Sequence, residues 1–227
     1  MPTRFQSLHQ RLSDPILTVL TLMLSFLLFV IGPMQAAGVI SGNYFGYLFG
    51  LVMIPAAFLY SRNLLAAGPI AIAIALVIAA ALLDVDQTSR IDFYLDSAAW
   101  LIAGISLSVV VARAVFGPGR VTYHRVVGAV LLYLAMGLVF VALYGFVALS
   151  VPDAFTNLAT LKGDFAIAGN LIYFSFVTLT TTGYGDIAPL HPYARSLANV
   201  EAIIGQIYPA TLLARLVTLE LTDKANS

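Results

Sequence analysis

Thr180-Thr181-Thr182-Gly183-Tyr184-Gly185-Asp186 puts hydroxyls, alternate glycines and a carboxylate into one polar run of a chain that is otherwise strongly apolar. A cation that leaves water loses its hydration shell, and inward-pointing backbone carbonyls of an extended loop can replace those oxygens one step at a time. Glycines at alternate positions, here Gly183 and Gly185, allow backbone dihedrals that residues with side chains resist. The Thr181 hydroxyl adds a further oxygen ring if several copies of the loop face one axis. A single copy encloses nothing, so this chemistry requires assembly.

A second group of residues lies downstream, in the apolar stretch 196–219, which holds Glu201, Gly205, Gln206, Pro209, Leu213 and Arg215. Pro209 has no N–H to donate to the carbonyl of Gly205, so a flexible residue and a missing hydrogen bond fall on one turn. A bend is expected there, either a moving hinge or a fixed kink. Gln206, Pro209 and Leu213 recur at helical spacing, whereas Glu201 is turned about 140° from Gln206. A carboxylate inside a membrane is a functional candidate by default, and the alternative is a buried structural bond to hydroxyls such as Thr178. Arg215 sits near the cytoplasmic end and is expected to snorkel to the interface. His9, His124 and His191 are scattered near interfaces, and no cysteine is present, so ligation of a transition metal is not expected.

These residues need elements to hold them. Of the 227 residues, 60% are hydrophobic and 10% charged, which makes the chain an integral membrane protein. The net charge of zero and the lack of a Lys/Arg block argue against a nucleic-acid partner. A spanning helix needs about 20 apolar residues. Six stretches meet that, roughly 16–33, 44–61, 64–83, 97–116, 126–149 and 196–219. The run 167–179 is too short to span, so 167–186 reads as a re-entrant helix plus a descending loop, admissible at membrane depth only where protein or water surrounds it.

With both termini cytoplasmic, Arg4, Arg11, Arg62, Arg113, Arg120, Arg125, Arg215 and Lys224 lie inside, and only Arg90, Lys162 and Arg195 outside. The acids Asp84, Asp86, Asp92, Asp96, Asp153, Asp164 and Asp186 then make the outer face mildly cation-attracting. The uncharged run from Ile16 to Ile31 is longer than the usual core of a signal peptide, so the first helix is expected to be retained. Gly46 and Gly50, and Ala99, Ala103, Gly104, Ser108 and Ala112, are small residues suited to close helix packing.

Thr181-Thr182-Gly183-Tyr184-Gly185, followed by Asp186 and set between a short apolar helix and a spanning one, resembles the filter of the tetrameric potassium channels. The resemblance covers Val126 to Leu221. It implies an all-α membrane protein with six transmembrane helices, a re-entrant pore helix and a selectivity-filter loop, assembled as a homotetramer in the cell membrane among its lipids.

The same resemblance assigns the Thr181, Thr182, Gly183 and Tyr184 carbonyls and the Thr181 hydroxyl to dehydrated K⁺, with Gly185 ending the filter. Tyr184 would brace the loop, Asp186 and Tyr173 would support it, and Gly205, Gln206, Pro209 and Leu213 would line the cavity and gate, leaving Glu201 behind the pore. Thr182 departs from the Val or Ile most common in its position, the frequent tryptophan pair is missing, and Val177 stands where some relatives carry a glutamate.

The implied segments are a cytoplasmic N-terminal stretch 1–15, a four-helix domain 16–120, a pore domain 121–221 and a short tail 222–227. A voltage sensor needs a ladder of Arg or Lys on its fourth helix, and Arg113 is alone there, with Val110 and Phe116 at the neighbouring positions. Four copies of one charge crossing the whole field would gain at most about 9 kcal/mol per 100 mV, so weak or no voltage gating is expected. The expected activity is passive K⁺ conduction, with no chemical reaction and no cofactor. A potassium-transporter component and a nonconducting regulatory subunit are the alternatives that would keep the fold.

Overall fold

A computed structural model of the chain describes residues 4–40, 44–60, 72, 75, 90–117, 122–158 and 164–225. The described residues are mostly helical, with one isolated antiparallel bridge between Phe155 and Pro189. Apart from residues 72 and 75, the expected span 64–83 lies outside the described residues, as do Arg62, Asp84, Asp86, Arg120 and Lys162.

Helix α1 (Arg4–Phe26) passes through a π-helical turn (Leu27–Ile31) into the short α2 (Gly32–Ala36). Leu17, Leu20, Leu24, Leu27 and Leu28 recur at helical spacing and are all buried, so this face belongs to the core. Gly38, at φ 71°, ends the element, and the Val39 N–H donates to the Met34 carbonyl. The Gln35 side chain then accepts from the Phe45 N–H at 3.2 Å, at the start of α3 (Tyr44–Tyr60). Phe45 and Phe49 of α3 pack on Trp100 of α4 (Arg90–Phe116), with ring centroids 4.8 and 4.7 Å apart.

Helix α5 (Tyr123–Ser150), capped by the Thr122 side chain on the Arg125 N–H, is the central post. It packs against α1 and α4 on one side and against α6 (Asp164–Leu179) and α7 (Pro192–Ala225) on the other. One apolar cluster joins α1, α3, α4 and α5. A second joins the C-terminal half of α5 to the loop after it, α6 and α7.

Among the described residues, four stretches are long and apolar enough to cross a membrane: Pro15–Ala36, Ser97–Phe116, Tyr123–Ser150 and Pro192–Arg215. The expected second span corresponds to the 17 residues of α3, whose apolar part, Phe45–Ala56, is shorter than a full span. Helix α6 has 16 residues, about 24 Å of rise, and also falls short of a span.

Candidate pore-lining loop

The loop after α6 starts deep in the molecule. The Leu179 carbonyl, at the end of α6, accepts from the Tyr133 hydroxyl at 2.9 Å. Tyr133 lies about 15 Å along α5 from the helix start. The same carbonyl abuts Gly205 near the middle of the α7 span, where an added Cβ would stand 1.9 Å from the Leu179 oxygen. Gly205 therefore allows this approach of two backbones whether or not it also bends. From mid-helix depth the chain climbs to the segment that leaves α5, where Leu190 and His191 donate to the Ala154 carbonyl at 2.8 and 3.2 Å.

Within the climb, φ is positive at Thr181 (55°), Gly183 (60°) and Gly185 (78°), and stays negative at Thr182 and Tyr184 between them. Left-handed residues at alternate positions can turn successive backbone groups to one side of a loop. Glycine adopts such angles freely. For Thr181, a β-branched residue, a left-handed backbone is an outlier costing about 1–3 kcal/mol, of the kind that persists only where the surroundings enforce it.

The last turn of α6 supplies that enforcement. Thr180 N–H donates to the Phe176 carbonyl at 3.0 Å, Thr181 N–H to Thr178 at 2.9 Å, and Thr182 and Gly183 N–H to Val177 at 2.9 and 3.3 Å. The Thr180 hydroxyl donates to the Phe176 carbonyl at 2.6 Å, which leaves the Thr182 hydroxyl to donate to Thr180 Oγ1 at 2.8 Å. Thr182 thus uses its hydroxyl on the loop itself. From below, Gln206 Nε2 donates to Thr181 Oγ1 at 2.6 Å. Residues 180–186 are all exposed in the single chain.

Tyr184 is stacked parallel to Tyr173, with centroids 6.5 Å apart, and the Asp186 carboxylate lies near the Tyr173 hydroxyl. Asn157 donates to the Asp186 carbonyl at 2.8 Å, while Thr156 and Ala188 exchange bonds at 2.8 Å through backbone and hydroxyl. Sequence reasoning did not single out this clamp of 154–157 on 186–191. Its only signal was the turn chemistry of Pro152, Asp153 and Asn157, the last two of which adopt positive φ.

Glu201 is fully buried. Its Oε2 accepts from the Tyr144 hydroxyl at 2.5 Å, and its Oε1 lies 2.5 Å from Ser175 Oγ, which in turn stands 3.0 Å from the Gly137 carbonyl. The α6 hydroxyl that meets it is therefore Ser175, one turn before the expected Thr178. Tyr144 is a partner that the sequence did not flag, although a tyrosine inside an apolar helix must find one.

Helix α7 runs unbroken through Pro209, and Pro209 and Leu213 are exposed along with Gln206. The Arg215 guanidinium lies 4.6 Å over the ring of Phe116, at the end of α4, and donates to the Phe116 carbonyl at 3.3 Å. His124 is bonded to the Thr18 hydroxyl at 2.7 Å, joining α5 to α1. Among the described residues no group of His, Asp or Glu is placed to hold a metal ion.

Residues 128–220 match a family described as ion channel. Over 91 residues the chain is 36% identical to two pore potassium channel c of Oryza sativa subsp. japonica, covering 40% of this chain and 18% of that protein. Over 88 residues it is 34% identical to protein LctB of Bacillus caldotenax, covering 37% of this chain and 64% of that one. The matched stretch thus spans less than two thirds of either relative. No solved structure matches.

Proposed function

We propose that this chain, whose residues 128–220 match an ion channel family, is one subunit of a homotetrameric channel that passes K⁺ down its electrochemical gradient. The observation that carries this reading is the alternation of positive φ at Thr181, Gly183 and Gly185 in a loop that starts at mid-helix depth and is exposed in one chain. Non-helical backbone at that depth cannot face lipid. On this reading neighbouring copies cover it, and its carbonyls face a water-filled axis between them.

On this reading the carbonyls of Thr181, Thr182, Gly183 and Tyr184 and the Thr181 hydroxyl replace the water around K⁺. Helix α6 is the pore helix, α5 the outer helix and α7 the inner helix of a six-helix subunit. Gly185 ends the filter, and Asp186 and Tyr173 support its outer mouth. Gln206, Pro209 and Leu213 line the cavity below, and Gly205 lets the inner helix reach the pore helix. The chain needs no cofactor and carries out no chemical reaction. It works in the cell membrane with both termini cytoplasmic, among lipids.

The reading is tested by reconstituting the full chain into liposomes and measuring ion flux under opposed K⁺ and Na⁺ gradients. K⁺ flux with Na⁺ excluded is the expected result. Equal flux of both ions would remove selectivity, and flux of neither would favour a nonconducting subunit.

A further inference from the structure

We propose that Glu201 is held in the membrane as a neutral carboxylic acid, the middle member of a directed hydrogen-bond chain from Tyr144 through Glu201 and Ser175 to the Gly137 carbonyl. The chain fixes the pore helix against the outer and inner helices. Three oxygen pairs lie at hydrogen-bond distance: Tyr144 Oη to Oε2 at 2.5 Å, Oε1 to Ser175 Oγ at 2.5 Å, and Ser175 Oγ to the Gly137 carbonyl at 3.0 Å. Each pair needs one proton between its oxygens.

The two hydroxyls supply one proton each. With Glu201 ionised, the Ser175 proton serves either Oε1 or Gly137, and the other pair becomes two oxygens facing each other. A proton on Glu201 closes the count. Tyr144 donates to Oε2, the acid O–H donates to Ser175 Oγ, and the Ser175 O–H donates to Gly137.

Burial points the same way. Glu201 is 0% exposed, and among the described residues no cation is set against it. An unpaired carboxylate there would bear the full cost of its charge in an apolar medium. A neutral acid does not, and it still both donates and accepts.

Glu201 thereby acts as a positioning residue. Its chain joins α5, α6 and α7, and grips α6 at Ser175, directly before Phe176, Val177 and Thr178, whose carbonyls hold the N–H groups of residues 180–183. The consequence for permeation rests on the channel reading above, while the protonated acid rests on the geometry alone.

The test uses the full-length protein. In infrared spectra of the reconstituted wild type, a protonated-carboxyl stretch that shifts on hydrogen–deuterium exchange should be present at neutral pH and absent in Glu201→Gln. In bilayers, Glu201→Gln, whose amide accepts from Tyr144 and donates to Ser175, should keep the wild-type K⁺ over Na⁺ permeability ratio. Glu201→Leu, assembled to the same size, should lower it by about tenfold, the equivalent of one lost buried hydrogen bond.

If the Leu variant does not assemble, Tyr144→Phe removes one hydroxyl of the chain at nearly constant volume and should lower the ratio in the same direction. Absence of the band overturns the neutral acid. A Gln variant as impaired as the Leu variant, or a Leu or Phe variant identical to wild type, overturns the positioning role. A wild type that passes no K⁺ would overturn the channel reading, and the infrared band would still decide the state of Glu201.

Discussion

The two sides of α5 use their polar groups differently. Toward α6 and α7, side chains bond across segments: Tyr133 to the Leu179 carbonyl, Tyr208 to the Ala129 carbonyl, Gln206 to Thr181, and Tyr144 and Ser175 to Glu201. Toward α1, α3 and α4 the contact is mostly apolar. Fewer side chains bond across helices there: Thr18 meets His124 and Tyr94 meets Ser150, whereas Ser108 bonds the Gly104 carbonyl of its own helix and the Thr21 hydroxyl donates to the Leu17 carbonyl one turn back while also lying 3.2 Å from the Val127 carbonyl. Apolar packing tolerates side chains of similar volume, whereas a hydrogen bond fixes a direction. The α1/α3/α4 side, the front half of the molecule, is therefore held mainly by shape, and the loop-bearing side more by direction.

The sharpest break of this contrast is at the loop glycines. Gly183→Ala and Gly185→Ala force a side chain into the left-handed region at φ 60° and 78°, and K⁺ flux in liposomes should fall to background with the protein still assembled. Phe49→Ala, in the front half, should behave in the opposite way. It removes a fully buried ring stacked on Trp100, for an expected loss of about 3–5 kcal/mol. That loss is read as a lower unfolding temperature in detergent, with the K⁺ over Na⁺ permeability ratio of the surviving protein unchanged.

Gly205→Ala tests the backbone contact between the two regions of the pore side. Its Cβ would overlap the Leu179 backbone, and the strain, at or above about 3 kcal/mol, should lower both thermal stability and flux. Thr182→Val should cost only about 1 kcal/mol, because it removes one hydroxyl bond, to Thr180. A small shift in the permeability ratio should accompany it. The smallest effect belongs to Arg113→Gln, near the end of α4. The slope of the conductance–voltage curve should not change, and a flatter slope would make the front half a sensor after all.

The loop was legible in the sequence because its polarity interrupts an apolar chain and its glycines alternate. The left-handed Thr181 was not, since nothing in a β-branched residue announces that backbone. It follows from the N–H groups of residues 180–183 being gathered by the last turn of α6. The bearing of Glu201 away from Gln206 could be read from helix periodicity, yet Ser175 and Tyr144 as its partners could not. Which hydroxyl meets a side chain depends on how far α6 slides along α7, and backbone contacts such as Leu179 on Gly205 set that slide. The clamp between 154–157 and 186–191 relies largely on backbone groups, which every sequence possesses, so residue types could not single it out.

On the channel reading, the carbonyls of Thr181 to Tyr184 from four copies face one axis and take the place of water around K⁺. An anomalous-scattering map of the assembled protein crystallised with Rb⁺ or Tl⁺ tests it most directly. The account predicts peaks along a fourfold axis between successive rings of these carbonyls. An assembly without that axis, or an axis without ions at these residues, would contradict it.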